Sequence, residues 1–426
     1  MIVITKKKDC CGCSACVQAC PKQCIEMTLR EGFYYPKANP NLCVDCGLCE
    51  KVCPIKHTPK RTEPVHIYAA RHKDDTIIKK SSSGGVFTAL ATLVINYGGV
   101  VFGAGFNKDW EICHSYTETI EGLENYRRSK YAQSRIGDSY LQTLSFLKAG
   151  RLVLFTGTPC QVAGLNAFLH KKYDNLITMD VVCHGVPSPE VWREYIEQMR
   201  PKGAAGKNTV FQSLKDTPVI TGISFRDKTT GWQKYGFSAW KGVVDEGGDK
   251  NTVFPPKGSR KFRHEILQEN LFMRGFLQHL YLRPSCFECK FRNFCSGSDA
   301  IVADFWGINR LFPDWNDDKG VSLVVQKSEA VDSFLGDNMY LREVPNDKWD
   351  LAFKGNPSLF KDEVPSNNEV SFWNDFEKAP EDLLRLIERY TIFSTKSKCR
   401  ALFDHLLLKL HIYSLIKKII INVRKS

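Results

Sequence analysis

The spacing C-x2-C-x2-C-x3-C-P occurs twice near the start of the chain and constrains it more than any other feature. The first copy is Cys10, Cys13, Cys16, Cys20 and Pro21; the second is Cys43, Cys46, Cys49, Cys53 and Pro54. Eight thiolates in two such runs can wrap two 4Fe-4S cubes. Three closely spaced cysteines reach three corners of one cube, and the fourth, set apart by the following proline, reaches across to the other. The spacing therefore assigns Cys10, Cys13, Cys16 and Cys53 to one cluster, and Cys43, Cys46, Cys49 and Cys20 to a second. Zinc calls for ligand pairs closing one tetrahedron. Disulfides call for an oxidising compartment. Neither accounts for triplets with a trailing Cys-Pro. Cys11 and Cys24 fall outside the pattern and read as small buried fillers.

The whole chain has 426 residues, 43% of them hydrophobic and 17 of them cysteine. That length suggests about two or three domains with ample core. Lys6 to Lys8 lead into cysteines and not into an apolar run, so no signal peptide is visible. Many cysteines in an unsecreted chain read as metal ligands in a reducing cytosol. The formal charge is +12. Twelve thiolates around three cubes of core charge 2+ would bring it to roughly +6. Such a mildly basic protein suits an acidic redox partner or a membrane surface. No basic, aromatic-interleaved stripe or reader motif appears, which argues against nucleic acid. Val86 to Phe106 is an uncharged run of 21 residues, long enough for a bilayer. Asn96-Tyr97-Gly98-Gly99 cuts it, so it reads as a buried helix, a turn and a buried strand.

The expected organisation is a ferredoxin-like module over residues 1–56, a main domain over 65–345 and a C-terminal extension over 346–426. Lys56 to Pro64 is a short proline-punctuated linker. Beyond it, strands alternate with helices: strands at 66–71, 99–106, 152–156, 176–183, 300–305 and 321–326; helices from the Ser81–Gly85 turn to Asn96, and over 134–148, 160–170, 187–199, 271–282 and 381–390. Gly222 to Trp240 reads as a hairpin, Asp245 to Arg263 as a mobile loop, and 346–380 as loop-rich. The fold class is a small ferredoxin-like domain fused to a larger mixed α/β domain, with a helical tail.

Four more cysteines hold suggestive places. Cys160 and Cys183 fall at the ends of successive strands, where ligand sites of α/β sheets gather. With the Cys286 and Cys289 pair they would make four ligands for a third cube. The alternative is two buried cysteines plus a zinc pair, with Cys295 as a competing ligand. The Ser81–Gly85 turn before a helix suits an anionic group, or equally a serine N-cap. His184, beside Cys183, reads as structural. Gly103-Ala104-Gly105 lacks the third glycine of a dinucleotide fingerprint. No Ser/His/Asp or paired-carboxylate constellation is evident.

The stretches SSSGGVFTAL, SKYAQS, LFTGTPCQVAGL, VVCHGVPSPEVW and RPSCFECKFRNFCSGSDAIVADFWGI together resemble the coenzyme F420 hydrogenase/dehydrogenase beta-subunit family. The resemblance covers roughly residues 65–345. It implies a flavin-binding domain, with FAD or FMN, that carries its own 4Fe-4S cluster on Cys160, Cys183, Cys286 and Cys289. It makes Ser83, Gly84, Gly85, Thr88, Lys130, Gln133, Gly157 and Thr158 flavin neighbours, and it leaves Cys295 a spare thiol. Nothing in the residues identifies a pocket for the deazaflavin carrier that gives the family its name.

The resulting expectation is a cytosolic iron–sulfur flavoprotein oxidoreductase. It would link a one-electron partner protein to a two-electron substrate or small hydride carrier. The alternative is a non-catalytic electron-transfer subunit docked on a separate enzyme. Lys398 to Lys425 reads as a mostly apolar helix with a polar stripe at Asp404, His411, Lys418 and Lys425. It either packs on the protein or a partner, or lies on an anionic membrane surface.

Overall fold

A computed structural model describes residues 1–200, 219–242, 253–329 and 338–392. The basic helix expected over 398–425 lies outside the described residues. Strands β1 (Ile25–Arg30) and β2 (Phe33–Ala38) form an antiparallel hairpin in the cysteine-rich module. The main body is built on eight strands: β3 (His66–His72), β4 (Val100–Phe106), β5 (Ile112–Thr117), β6 (Val153–Gly157), β7 (Leu176–Val181), β11 (Ala300–Asp304), β12 (Ser322–Gln326) and β13 (Met339–Glu343). They form one sheet in the order β13-β3-β12-β11-β7-β6-β4-β5. A second, three-stranded meander contains β8 (Val219–Asp227), β9 (Gly236–Gly242) and β10 (Arg260–Ile266).

The large sheet is parallel across β4, β6, β7 and β11. β12 runs against β11, and β3 against β12, so β3 points with the parallel set. The carboxyl ends of these five strands therefore share one edge. β4, β6 and β7 are almost wholly apolar (VVF, VLF, LITM) and buried, as strands covered on both faces must be. The helices Val86–Asn96 and Pro159–Leu169 supply much of that cover, with Leu90, Val94, Val162 and Leu165 fully buried. The run from Val86 to Phe106 is thus a helix, a turn and a strand. No helix among the described residues is long and apolar enough to cross a membrane.

Several elements depart from the sequence reading, each for a local reason. The helix expected from Ser134 starts at Ser139, because Arg135 first pairs with β5 through His114 and Ile112. The helix Leu271–Leu277 ends before Leu282, whose neighbour Arg283 donates its N–H to Val186. The end of the expected loop at 245–263 opens β10, an edge strand whose half-buried charges are paired, Lys261 with Asp227 and Arg263 with the Tyr195 hydroxyl; residues 243–252 lie outside the described residues. The stretch 346–380 holds the helices Trp349–Phe353 and Glu369–Lys378. Phe372, Phe376, Leu383 and Ile387 bury into the same core as Trp192, Phe225 and Phe272. Each such side chain contributes about 1.5–3 kcal/mol, so this part of the extension is integral to the main core.

Candidate metal centres: three cysteine-lined cavities

The module contains two cysteine-lined cavities. The first is lined by Cys10, Cys13, Cys16 and Cys53, with Ile2, Met27 and Pro36 completing an apolar wall. The second is lined by Cys20, Cys43, Cys46 and Cys49. Each cavity thus takes three sulfurs from one motif copy and the fourth from the other. The loop before Cys13 turns at Gly12, whose φ of +73° and contact with Gln133 leave no room for a side chain. Burial pushes the Cys16 thiol up, and the neighbouring Cys10, Cys53 and Cys49 sulfurs add to the shift. At Cys20 burial also opposes ionisation, but the N–H groups of Cys24, Lys22 and Gln23 and the Cys24 thiol outweigh it, and the net shift is downward. Donors of this kind stabilise thiolate ligands.

A third cavity opens at the carboxyl edge of the large sheet. Cys160 stands in the first turn of the helix that follows β6, and Cys183 lies two residues beyond β7. Cys286 and Cys289 come from the 3-10 turn Pro284–Glu288 and its cap. All four line this cavity, and Cys295 lies outside the lining. The Cys183 thiol is pushed well up by burial and then by the Cys286, Cys160 and Cys289 sulfurs; burial likewise pushes Cys286 up to about 12. Four thiols converge here, with Arg283 and Arg292 in the same lining. The thiols suit a cluster whose iron supplies the positive charge. The Thr158 hydroxyl lies 3.2 Å from Cys160 Sγ, and Val186 N–H donates to Cys286 Sγ at 3.4 Å.

Several residues around the cavities escaped the sequence reading. Cys11 is no filler: it lines both the first and the third cavity. Its thiol is raised by a hydrogen bond with Cys13, while a bond with Cys160 and burial also act on it. Cys24 sits 3.4 Å from Cys20, sulfur to sulfur, on the second cavity's wall. Arg283, 1% exposed, pins the module to the main body. Its Nε donates to Cys10 O at 2.8 Å, Nη2 to Tyr34 O at 3.1 Å, and Nη1 to Gln133 Oε1 at 3.1 Å. Its guanidinium also packs on the Tyr35 ring, 4.4 Å from the centroid. No pattern in the sequence singles out one arginine for this role; only the pairing of distant segments does.

The eight residues expected near a flavin fall into three groups. Ser83, Gly84 and Gly85 form the turn before the helix Val86–Asn96. Ser83 Oγ donates to Val321 O, and Gly84 N–H to Ser322 Oγ. A side chain on Gly84 would collide with Ala70 O. Thr88, on that helix, accepts from Arg127 Nε at 3.2 Å. Lys130 is half-buried nearby, its side-chain nitrogen donating to Asn125 O and Arg127 O, both at 2.9 Å. Desolvation pushes its pKa well down, the Arg128 charge adding to this. Arg128 is also half-buried, lowered to about 10 chiefly by desolvation, and donates to Ser224 Oγ at 2.6 Å. Two half-buried basic side chains beside a serine–glycine turn fit an anionic cofactor. Gly157 ends β6 and Thr158 caps the helix that follows, next to Pro159 and Cys160 of the third cavity's lining. Gln133 is held at the Arg283 joint, with its amide oxygen already shared by Tyr34 N–H and Arg283.

Paired cysteine cavities in a small module, docked on the ligand-binding edge of an α/β sheet, define an iron–sulfur electron-transfer protein. The model for a 4Fe-4S dicluster domain matches residues 9–56. The models for the coenzyme F420 hydrogenase/dehydrogenase beta subunit match residues 67–139 (N-term) and 150–343 (C terminus). The chain belongs to the coenzyme F420 hydrogenase/dehydrogenase beta-subunit family. It is 24% identical over 165 residues to one of the subunits of the F(420)H(2) dehydrogenase of Methanosarcina mazei, covering 36% of this chain and 46% of that protein. Its module is 45% identical over 42 residues to the 7Fe ferredoxin of Hydrogenibacillus schlegelii, covering 10% of this chain and 49% of that protein. The chain thus spans about half the length of these relatives. A chain of the F420-reducing NiFe hydrogenase complex of Methanosarcina barkeri superposes with a TM-score of 0.42 at 18% identity, covering 70% of this chain and 90% of that one.

Proposed function

We propose that this protein is a flavin- and iron–sulfur-dependent oxidoreductase that connects a one-electron carrier to a two-electron substrate or hydride carrier. The observation that supports the reading most is the series of three cavities, each lined by four cysteines of the expected quartets and by one further cysteine, Cys11 in the first and third and Cys24 in the second. Bound in these cavities, 4Fe-4S clusters would exchange single electrons, and a flavin would convert them to pairs.

The chain's own residues do the rest. Cys10, Cys13, Cys16 and Cys53, then Cys20, Cys43, Cys46 and Cys49, hold the module's two groups. Cys160, Cys183, Cys286 and Cys289 hold the third. Arg283 and Gln133 keep the first and third cavities in register, which makes transfer between them intramolecular. Ile2, Met27, Phe291 and Ile301 exclude water from the cavity walls. Lys130 and Arg128 offer positive charge to the flavin nucleotide beside Ser83, Gly84 and Gly85.

Anaerobic purification followed by iron, acid-labile sulfide and flavin analysis tests the proposal. Twelve irons and one flavin per chain are expected. Eight irons and no flavin would reduce the function to that of a ferredoxin fused to another domain. A second reading is a non-catalytic subunit that passes electrons within a larger complex. It draws support from the Methanosarcina mazei relative, itself named as part of a dehydrogenase of several subunits. Reduction of small acceptors by the isolated chain would count against that reading.

A further inference from the structure

Outside the three cavities, one cluster of metal-binding side chains among the described residues lacks any assigned role. His184, His279 and Glu363 each present a ligand atom within 4.8 Å of the others. They come from three separate segments: the loop after β7, the turn after the helix Leu271–Leu277, and the loop that follows the turn Pro357–Leu359. We propose that these three residues form a mononuclear site for a divalent transition cation of the zinc type.

The hydrogen bonds prepare the donors. His279 Nδ1 is 2.6 Å from Val364 O and can only donate there, so the neutral ring presents a lone pair at Nε2. That is the outer-shell arrangement by which proteins orient metal-bound histidines. His279 Nε2 faces His184 Nε2 at 2.9 Å. The two nitrogens converge either across an N–H···N hydrogen bond from His184 or around a shared cation. Glu363 makes the spot negative: its Oε2 is 3.4 Å from His279 Nε2, and its Oε1 is 3.4 Å from His184 Nδ1. Ser358 Oγ donates to Oε1 at 2.5 Å, and Arg292 Nη2 stands 3.6 Å from the same atom. Both hold the carboxylate from one side and leave Oε2 directed at the histidines. With one donor atom from each residue, the three lie within 4.8 Å of one another, so modest side-chain rotation brings them to the roughly 3.3 Å between donors on a tetrahedral zinc with ~2.05 Å bonds. Three protein ligands leave a fourth position for water or a small ligand.

His279 follows the C-cap of the helix Leu271–Leu277 and takes the left-handed conformation (φ +56°) common at helix ends, with Leu280 N–H bonded to Gly275 O. Its ring lies opposite that of His184, their centroids 4.8 Å apart. The site requires nothing of the proposed electron path, and it stands whether or not the neighbouring cavity holds iron.

The test uses the full chain with its clusters intact, incubated with zinc, desalted, and assayed for zinc, iron and acid-labile sulfide. The wild type should retain one zinc per chain. His279→Ala and Glu363→Gln should each retain none, with sulfide unchanged, so that loss of zinc is separated from loss of clusters. Glu363→Gln keeps the carboxylate's size and serves if the alanine variant fails to fold. A wild type that retains no zinc, or variants that retain as much as the wild type, would overturn the proposal and leave a shared proton between the two rings.

Discussion

The cavities of the module and the cavity of the main domain present the same chemical face, a cluster of cysteine sulfurs, but are assembled by opposite routes. Each module cavity draws three ligands from one short motif, and the core around them is small: Ile2, Ala15, Ile25, Phe33 and Tyr35 are among its few buried apolar residues. The third cavity draws ligands from positions 160 to 289 and rests on a sheet whose strands β4, β6 and β7 are buried on both faces. A local cage has little but its metal to hold it; a scaffolded cage inherits its geometry from the fold. Cysteine-lined sites in one chain can therefore differ in whether metal builds the fold or the fold builds the site.

The strongest way to break this comparison is to remove the metal. Chelation of iron under argon should unfold the module and spare the sheet. Hydrogen exchange would show β1 and β2 falling to unfolded-chain protection, with β6 and β7 changing by less than about tenfold. Equal loss in both regions would sink the distinction. Next in size is the loss of one cage at a time. Cys183→Ser should remove about four of twelve irons while circular dichroism stays unchanged. Cys49→Ser should remove iron and also make residues 1–56 protease-sensitive.

Smaller effects probe the joint. Arg283→Met leaves Cys10 O, Tyr34 O and Gln133 Oε1 without their charged donor. It should cost about 3 kcal/mol in denaturant unfolding, with the module's transition separating from that of the main body. The smallest effect lies on the scaffold side. His114 is buried, its Nε2 donating to Thr156 O at 3.0 Å, and burial lowers its pKa to about 4. A histidine kept neutral in the fold lends stability that is complete above its unfolded pKa of about 6.5 and is lost as pH falls toward 4. Between pH 7 and 6 the loss should be about 0.7 kcal/mol, and it should vanish in His114→Gln. An identical slope in both proteins would remove His114 from the account.

How legible each part is in the sequence follows the same division. The module's ligand exchange can be read because its cysteines lie close together and proline marks the crossing. The third quartet can be read because Cys160 and Cys183 end consecutive apolar strands. Contacts between distant segments are not legible. Cys11 reads as filler because its partners, Cys13 and Cys160, are drawn together only by docking. β10 reads as loop because RKFRHEI is charged, and edge strands tolerate charge. Phe372 and Phe376, four residues apart, do carry a helical signal that a loop reading of 346–380 passes over.

The buried Arg283 joint also has a consequence for ionic strength. Free carrier proteins meet their enzymes through exposed charges, and such encounters slow as salt screens them. Here the contact is covalently tethered, largely desolvated and made to backbone carbonyls. Passage of charge across it should be indifferent to salt, so any salt dependence in turnover would report on the docking of an external partner.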